Sequence, residues 1–176
     1  MNGFQNNTFN DYSIRYTIEK FPIYRHLPGS TPHPFSDPKG HSYNVKERII
    51  VPLTNDNWKN QTDYLFGVDL FNFGFWWEAH EMFENYWKIS LEPNPIKKFL
   101  QGLIQICAAL LKWLQNNLIG MIKLSTKGIA NINSNTNYSY LLGINLELFT
   151  IKLKDFFCNE FKINNELPKI VLFMDK

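Results

Sequence analysis

From residue 63 onward, apolar residues recur every three or four positions, the period of an α-helix with one buried face. The pattern predicts five helices. The first covers 63–73, with Thr62 as N-cap and Gly74 as its stop. The second covers 75–89. The third covers 96–116, with Pro95 suited to a first-turn position. The fourth covers 118–132, and a polar Asn-rich loop follows over 131–137. The fifth covers 145–161. On the third, Lys97, Gln101, Gln105, Ala108 and Lys112 share one narrow arc, and the rest is almost wholly apolar. A helix that apolar belongs in the middle of a bundle, and short connections on both sides imply antiparallel neighbours.

The first sixty residues read differently. Proline and glycine crowd into 21–40, and regular periodicity is absent. Residues 12–19 alternate weakly. Residues 48–53 form a short apolar run closed by Pro52, which predicts an extended packing segment. The tail, 167–174, is apolar and predicts a short strand or a strap. The fold expected is therefore all-α: an antiparallel bundle of about five helices over 63–176, with a mostly irregular N-terminal arm over 1–62 packed on it.

Composition changes this picture in one respect. Phe 15, Tyr 8 and Trp 5 are an excess of rings, and ten of those 28 fall between Tyr64 and Trp87. The interior of the first two helices should therefore be a wall of aromatics. Charge excludes more than it suggests. Lys+Arg 18 against Asp+Glu 16 leaves +2, too little for a global field that grips nucleic acid or an anionic membrane. The start of the chain has no basic stretch followed by an apolar run, and no apolar stretch is long enough to span a bilayer. These features predict a cytoplasmic protein without a signal peptide. Its two cysteines, Cys107 and Cys158, are then expected as reduced core thiols. Phosphate-binding glycine loops, Cys-x-x-Cys pairs and nucleophile elbows are absent from the sequence.

The chemistry-bearing segment is the second helix, Trp76-Trp77-Glu78-Ala79-His80-Glu81-Met82-Phe83-Glu84-Asn85-Tyr86-Trp87. In projection Met82, Tyr86, Ala79, Phe83, Trp76 and Trp87 form one arc. His80 lies at its rim with Glu84 one turn on, while Glu78, Glu81 and Asn85 fall on the opposite, polar side. The structural reading makes His80 and Glu84 a hydrogen-bonded pair. It leaves Glu78 and Glu81 solvated, or bonded to Arg25, Arg48 or loop amides. The chemical reading notes that His80-Glu81-x-x-Glu84 has the spacing of a zincin helix with glutamate as second ligand. His80 and Glu84 would hold a divalent metal and Glu81 would act as base, with a third ligand from His33, His41 or Gln105. A third option is acid–base work by His80 without a metal. In the arm, Arg25, His26, Ser30, His33, Asp37, His41 and Ser42 project from a backbone stiffened by proline and glycine. Loops of this kind either position ligands or dock the arm.

Three stretches together resemble a known family. They are Tyr64-Leu65-Phe66-Gly67-Val68-Asp69-Leu70, then Glu78-Ala79-His80-Glu81-x-x-Glu84-x-x-Trp87, then Gln101-Gly102-Leu103-Ile104-Gln105. They are similar to the bacterial and archaeal domain of unknown function 309. The segment Gly120 to Gly128 resembles that family's next helix, and Pro22 to Tyr43 resembles the arm of its longer members. The resemblance implies a small all-α bundle and no settled activity, cofactor or substrate. The function expected is a helical binding or scaffold module for a small molecule or protein. Its His/Glu site lies under the N-terminal arm where it crosses the second helix, around Glu78, His80, Glu81 and Glu84, with Arg25, His33, His41 and Gln105 as further ligand-binding residues. Self-association is left open, and neither nucleic acid nor membrane is expected as a partner. The alternative is a metal-assisted hydrolase using His80, Glu81 and Glu84.

Overall fold

Residues 64–72 are buried without a break, although the stretch includes an aspartate and an asparagine. They belong to the first of five helices in the computed structural model, which describes residues 14–46, 49–92, 94–135, 137–158 and 166–174. The helices are α1 (Thr62–Asn72), α2 (Trp76–Ile89), α3 (Pro95–Leu114), α4 (Leu118–Asn133) and α5 (Leu146–Cys158). A single 3-10 turn, Trp58–Asn60, precedes them. The architecture is the antiparallel all-α bundle expected, with an irregular N-terminal segment laid over it.

Local chemistry sets the boundaries. Gly74, at φ 79°, takes the left-handed conformation that ends α1. Pro95 opens α3, and the Asn94 side chain accepts a 2.8 Å bond from the Ile96 N–H. Asn117 caps α4 in the same way through the Gly120 N–H at 2.9 Å. Helix α1 begins one residue earlier than expected. Gln61 occupies its cap position without a side-chain bond, so Thr62 is helical and does not cap.

Helix α3 makes its main contacts with α2 and α4, as its nearly continuous apolar surface requires. Two glycines let it meet α4 closely. A β-carbon on Gly102 would stand 2.7 Å from Ile132 Cγ1, and one on Gly128 would stand 2.9 Å from Ile106 Cδ1.

The polar residues of α1 explain how the irregular segments are held. Asp69 is fully buried and accepts four bonds from the arm. The Asn72 side chain exchanges two 2.7 Å bonds with the backbone of Ile170 in the tail. The Tyr64 hydroxyl donates to the Leu142 carbonyl at 2.8 Å. One helix therefore ties down the arm, the tail and the segment between α4 and α5, each by satisfying backbone groups that burial would otherwise leave unpaired.

The segment after α4 departs from the sequence expectation. Residues 140–144, to which the periodicity assigns no element, form with Asn145, the expected helix start, a small antiparallel hairpin, Tyr140–Leu141 with Ile144–Asn145. Leu142 and Gly143 at its turn have φ of 49° and 79°, the pair of positive values that a two-residue hairpin turn demands. Gly143 also lies against the Trp58 ring, where a β-carbon would overlap it. The tail is a strap with one bridge, Leu172 to Ile144.

Two further expectations change. The apolar run before Pro52 packs only in part: Ile50 lies against the core and Leu53 is in it, whereas Ile49 is fully exposed and Val51 half-exposed. Arg48 lies outside the described residues, as do the first residues of the alternating stretch and the end of the predicted fifth helix. Cys107 is buried, but Cys158 is exposed and is not a core thiol.

Candidate functional site

The arm crosses α2 at its first turns, where Trp77 and Glu78 receive it. His26, His33 and Phe35 place their rings 4.8, 5.3 and 5.6 Å from the Trp77 ring. Beside them, Glu78 Oε1 accepts the His26 N–H at 2.8 Å and meets His41 Nε2 at 3.0 Å. Glu78 is only 5% exposed, and its second oxygen, Oε2, is buried without a hydrogen-bond partner. Such an oxygen is costly unless something meets it. Burial pushes the Glu78 carboxyl above the ordinary carboxylate range, against the pull of the bonds from His26 and His41.

The loop carrying His41 is wound tightly. The N–H groups of Asp37, Gly40, Ser42 and Tyr43 donate to His33, Asp37, Pro34 and Gly40 carbonyls. A β-carbon at Gly40 would collide with the carbonyls of His33 and Pro34, so only glycine closes this loop. The Tyr24 hydroxyl donates to the Pro32 carbonyl and accepts the His41 N–H.

Beside Glu78 opens a cavity of about 460 Å³. Its apolar wall includes Phe21, Phe66, Leu70 and Met82, and its polar wall includes His41, Ser42, Glu78 and Glu81. Glu78, Glu81, Met82 and Asn85 all line it, and their spacing of three, four and seven residues is one face of α2. The face read as polar and outward is thus the inner wall of a cavity. The projection alone separates faces; the arm, expected to cross the second helix at Glu78, covers this one and places the His26 N–H and the His41 ring on Glu78.

The remaining site residues are distributed as follows. Arg25 donates to the Phe73 carbonyl at 3.2 Å and stacks over the Phe75 ring. Burial lowers its pKa, partly offset by the Glu78 charge. His33 is turned inward to its own loop, where Nδ1 accepts the Phe35 and Ser36 N–H groups. Gln105 accepts from Asn131 of α4 at 2.9 Å. His80 Nδ1 meets Glu81 at 3.3 Å, and Glu84 pairs with Lys88 at 3.2 Å. The expected His80–Glu84 pair is therefore replaced by two others, although the ligand atoms of His80, Glu81 and Glu84 lie within 4.8 Å of one another. None of the arm histidines joins that trio. Sequence reasoning passed over Asp69 and Asn72, whose signal was visible: two polar residues inside an otherwise apolar helix.

His26 gives the arm a pH dependence. Burial, and then the nearby His33, lower its pKa below the ordinary imidazole value of 6.5. The folded state therefore resists a proton that the unfolded chain accepts, so stability is full above 6.5 and is lost on acidification toward the folded value. Melting temperature should fall across that interval, and His26→Asn should flatten the profile. An equally steep profile in the variant would exclude His26 as the cause.

Residues 64–124, which span α1 to α3 and the start of α4, match the family described as a domain of unknown function (DUF309). The arm lies outside that match. No curated protein and no solved structure matches the chain. No helix among the described residues is long and apolar enough to cross a membrane.

Proposed function

We propose that the protein is a binding module for a compact, largely apolar small molecule that brings a hydrogen-bond donor to Glu78 beneath the arm. The observation that carries this reading is Glu78 on the wall of the 460 Å³ cavity, a nearly buried carboxylate whose Oε2 has no hydrogen-bond partner. A size of that order and a mostly apolar lining with a few converging polar groups suit a small ligand. A donor reaching Oε2 would satisfy the orphaned atom and draw on the aromatic walls for burial. Phenethylamine serves as a probe, with phenethyl alcohol as its uncharged match. Titrated into the full chain and followed by amide NMR shifts, the amine should give saturable changes at the arm and α2. Glu78→Gln, which turns an acceptor into an amide, should weaken it by about tenfold or more. Shifts that never saturate, or affinity unchanged in the variant, would refute the reading.

A second reading has its own observation. The trio His80, Glu81 and Glu84 could hold a divalent cation, since their ligand atoms cluster within 4.8 Å and three protein ligands leave a position for water. Glu81 is then a ligand and not a free base, which removes the base from the hydrolase scheme. The ion would have to displace the contacts with Glu81 and Lys88 described above. Calorimetric titration with Zn²⁺ should show one site, lost in His80→Ala. Equal heats in wild type and variant would eliminate the trio.

A further inference from the structure

We propose that Ser42 is a nucleophile, activated by His41 and positioned by Glu78, and that the cavity hydrolyses small carboxylic esters with an apolar acyl part. The three side chains form a continuous line: Ser42 Oγ to His41 Nδ1 is 2.8 Å, and His41 Nε2 to Glu78 Oε1 is 3.0 Å. All three line the same cavity. This goes beyond ligand binding but rests on the reading that the cavity admits a small molecule.

The tautomer follows from the neighbours. A carboxylate oxygen only accepts, so His41 Nε2 carries the hydrogen donated to Glu78. Nδ1 is then the acceptor, and the Ser42 hydroxyl donates to it. That is the arrangement a general base needs to remove the serine proton. The His41 and Glu78 side chains are only 6% and 5% exposed, whereas Ser42 is half-buried and opens to the cavity. The Gly40 turn and the bond from the Ser42 N–H to the Pro34 carbonyl hold the serine backbone in place.

The reaction balances with water as the only co-reactant. Ser42 Oγ attacks the ester carbonyl carbon while its proton passes to His41 Nδ1, and the Glu78 charge stabilises the imidazolium. Collapse of the tetrahedral adduct breaks the bond to the leaving alkoxide, which takes that proton and departs as an alcohol. Water then gives a proton to His41 and attacks the acyl-serine, and collapse of that second adduct breaks the bond to Ser42 Oγ, which takes the proton back from His41 as the acid departs. Lys20 and Lys46 also line the cavity, and their positive charge favours a developing oxyanion within it. Phe21, Phe66, Leu70 and Met82 receive the acyl group. Glu78 acts through His41 and is a positioning residue.

The test is covalent labelling of the full chain with an alkyl fluorophosphonate, read by intact mass and peptide mapping, beside turnover of p-nitrophenyl butyrate. One adduct on Ser42 is expected, absent in Ser42→Ala together with the turnover. Glu78→Gln should slow labelling on the order of a hundredfold or more, because an amide can favour the wrong imidazole tautomer. Phenethylamine binding by the wild-type chain, measured alongside, separates the two readings. No adduct on a wild-type chain that still binds the amine overturns the nucleophile alone. Labelling or turnover that survives Ser42→Ala overturns it as well. Loss of amine binding in wild type removes the cavity reading beneath both.

Discussion

Replacing Asp69 with alanine is expected to release the start of the arm and destabilise the protein by about 3–5 kcal/mol, since it strands several donors at about 1–3 kcal/mol each. Asp69 Oδ1 accepts the Tyr16 N–H at 2.8 Å. Oδ2 accepts the Thr17 N–H at 2.9 Å, the Thr17 hydroxyl at 2.7 Å and Arg15 Nε at 3.1 Å. Alanine leaves all four donors facing an apolar helix. They regain partners only if the arm lifts into water, which forfeits its packing. That packing includes the Arg15 guanidinium 4.0 Å from the Phe21 ring centroid, and Phe21 stacked on Phe75 at 5.0 Å. Asp69→Asn keeps the shape and one acceptor but turns an amide toward donors, so its cost should lie between wild type and alanine. Denaturant unfolding gives the energies, and dye binding reports the exposed rings. A variant within about 0.5 kcal/mol of wild type, the scatter of surface substitutions, would show that Asp69 does not anchor the arm. Phe21 also lines the cavity, so the same substitution should weaken phenethylamine without touching Glu78.

The bundle was legible because its signals are local. Helix period, Asn94-Pro95 and the glycine after α1 each act within a turn or two, and the apolar surface of α3 states its central place directly. The hairpin was hidden because its strands are two residues each, too short to show alternation. Its turn begins with Leu142, not one of the usual turn residues. The site was half legible. Glu78 and His41 stood out by chemistry, but no local rule joins residues 37 positions apart. Their meeting depends on Gly40 closing a loop and on Asp69 holding the arm, and both are facts of packing. Of the two places expected for Glu78, in solvent or on a loop amide, the second holds, because Oε1 accepts the His26 N–H. A helical projection puts a glutamate opposite the aromatic arc and calls that side solvent, whereas a covering segment turns it into a second interior.

Asn72→Ala should be nearly as damaging, for a different reason. Asn72 Nδ2 donates to the Ile170 carbonyl and Oδ1 accepts the Ile170 N–H, both at 2.7 Å and both buried. One side chain thus does for the tail what a neighbouring strand would do. The alanine variant strands a buried N–H and a buried C=O, at about 1–3 kcal/mol each. Ile170 and Leu172 sit in the core, so the strap cannot simply lift away to find water without exposing them. Its hold is shared with the Leu172 N–H bond to the Tyr16 hydroxyl at 2.9 Å, which joins the tail to the arm. The strap amides should therefore lose hydrogen-exchange protection first in Asn72→Ala, and arm amides near Tyr16 should follow. Asn72→Asp discriminates the two halves of the clamp: it retains an acceptor for the Ile170 N–H but loses the donor and buries a charge. If the clamp is what matters, neither variant should keep wild-type protection at Ile170. Protection there that survives both substitutions would mean that the tail is held by apolar burial alone and that the paired amide bonds add nothing measurable.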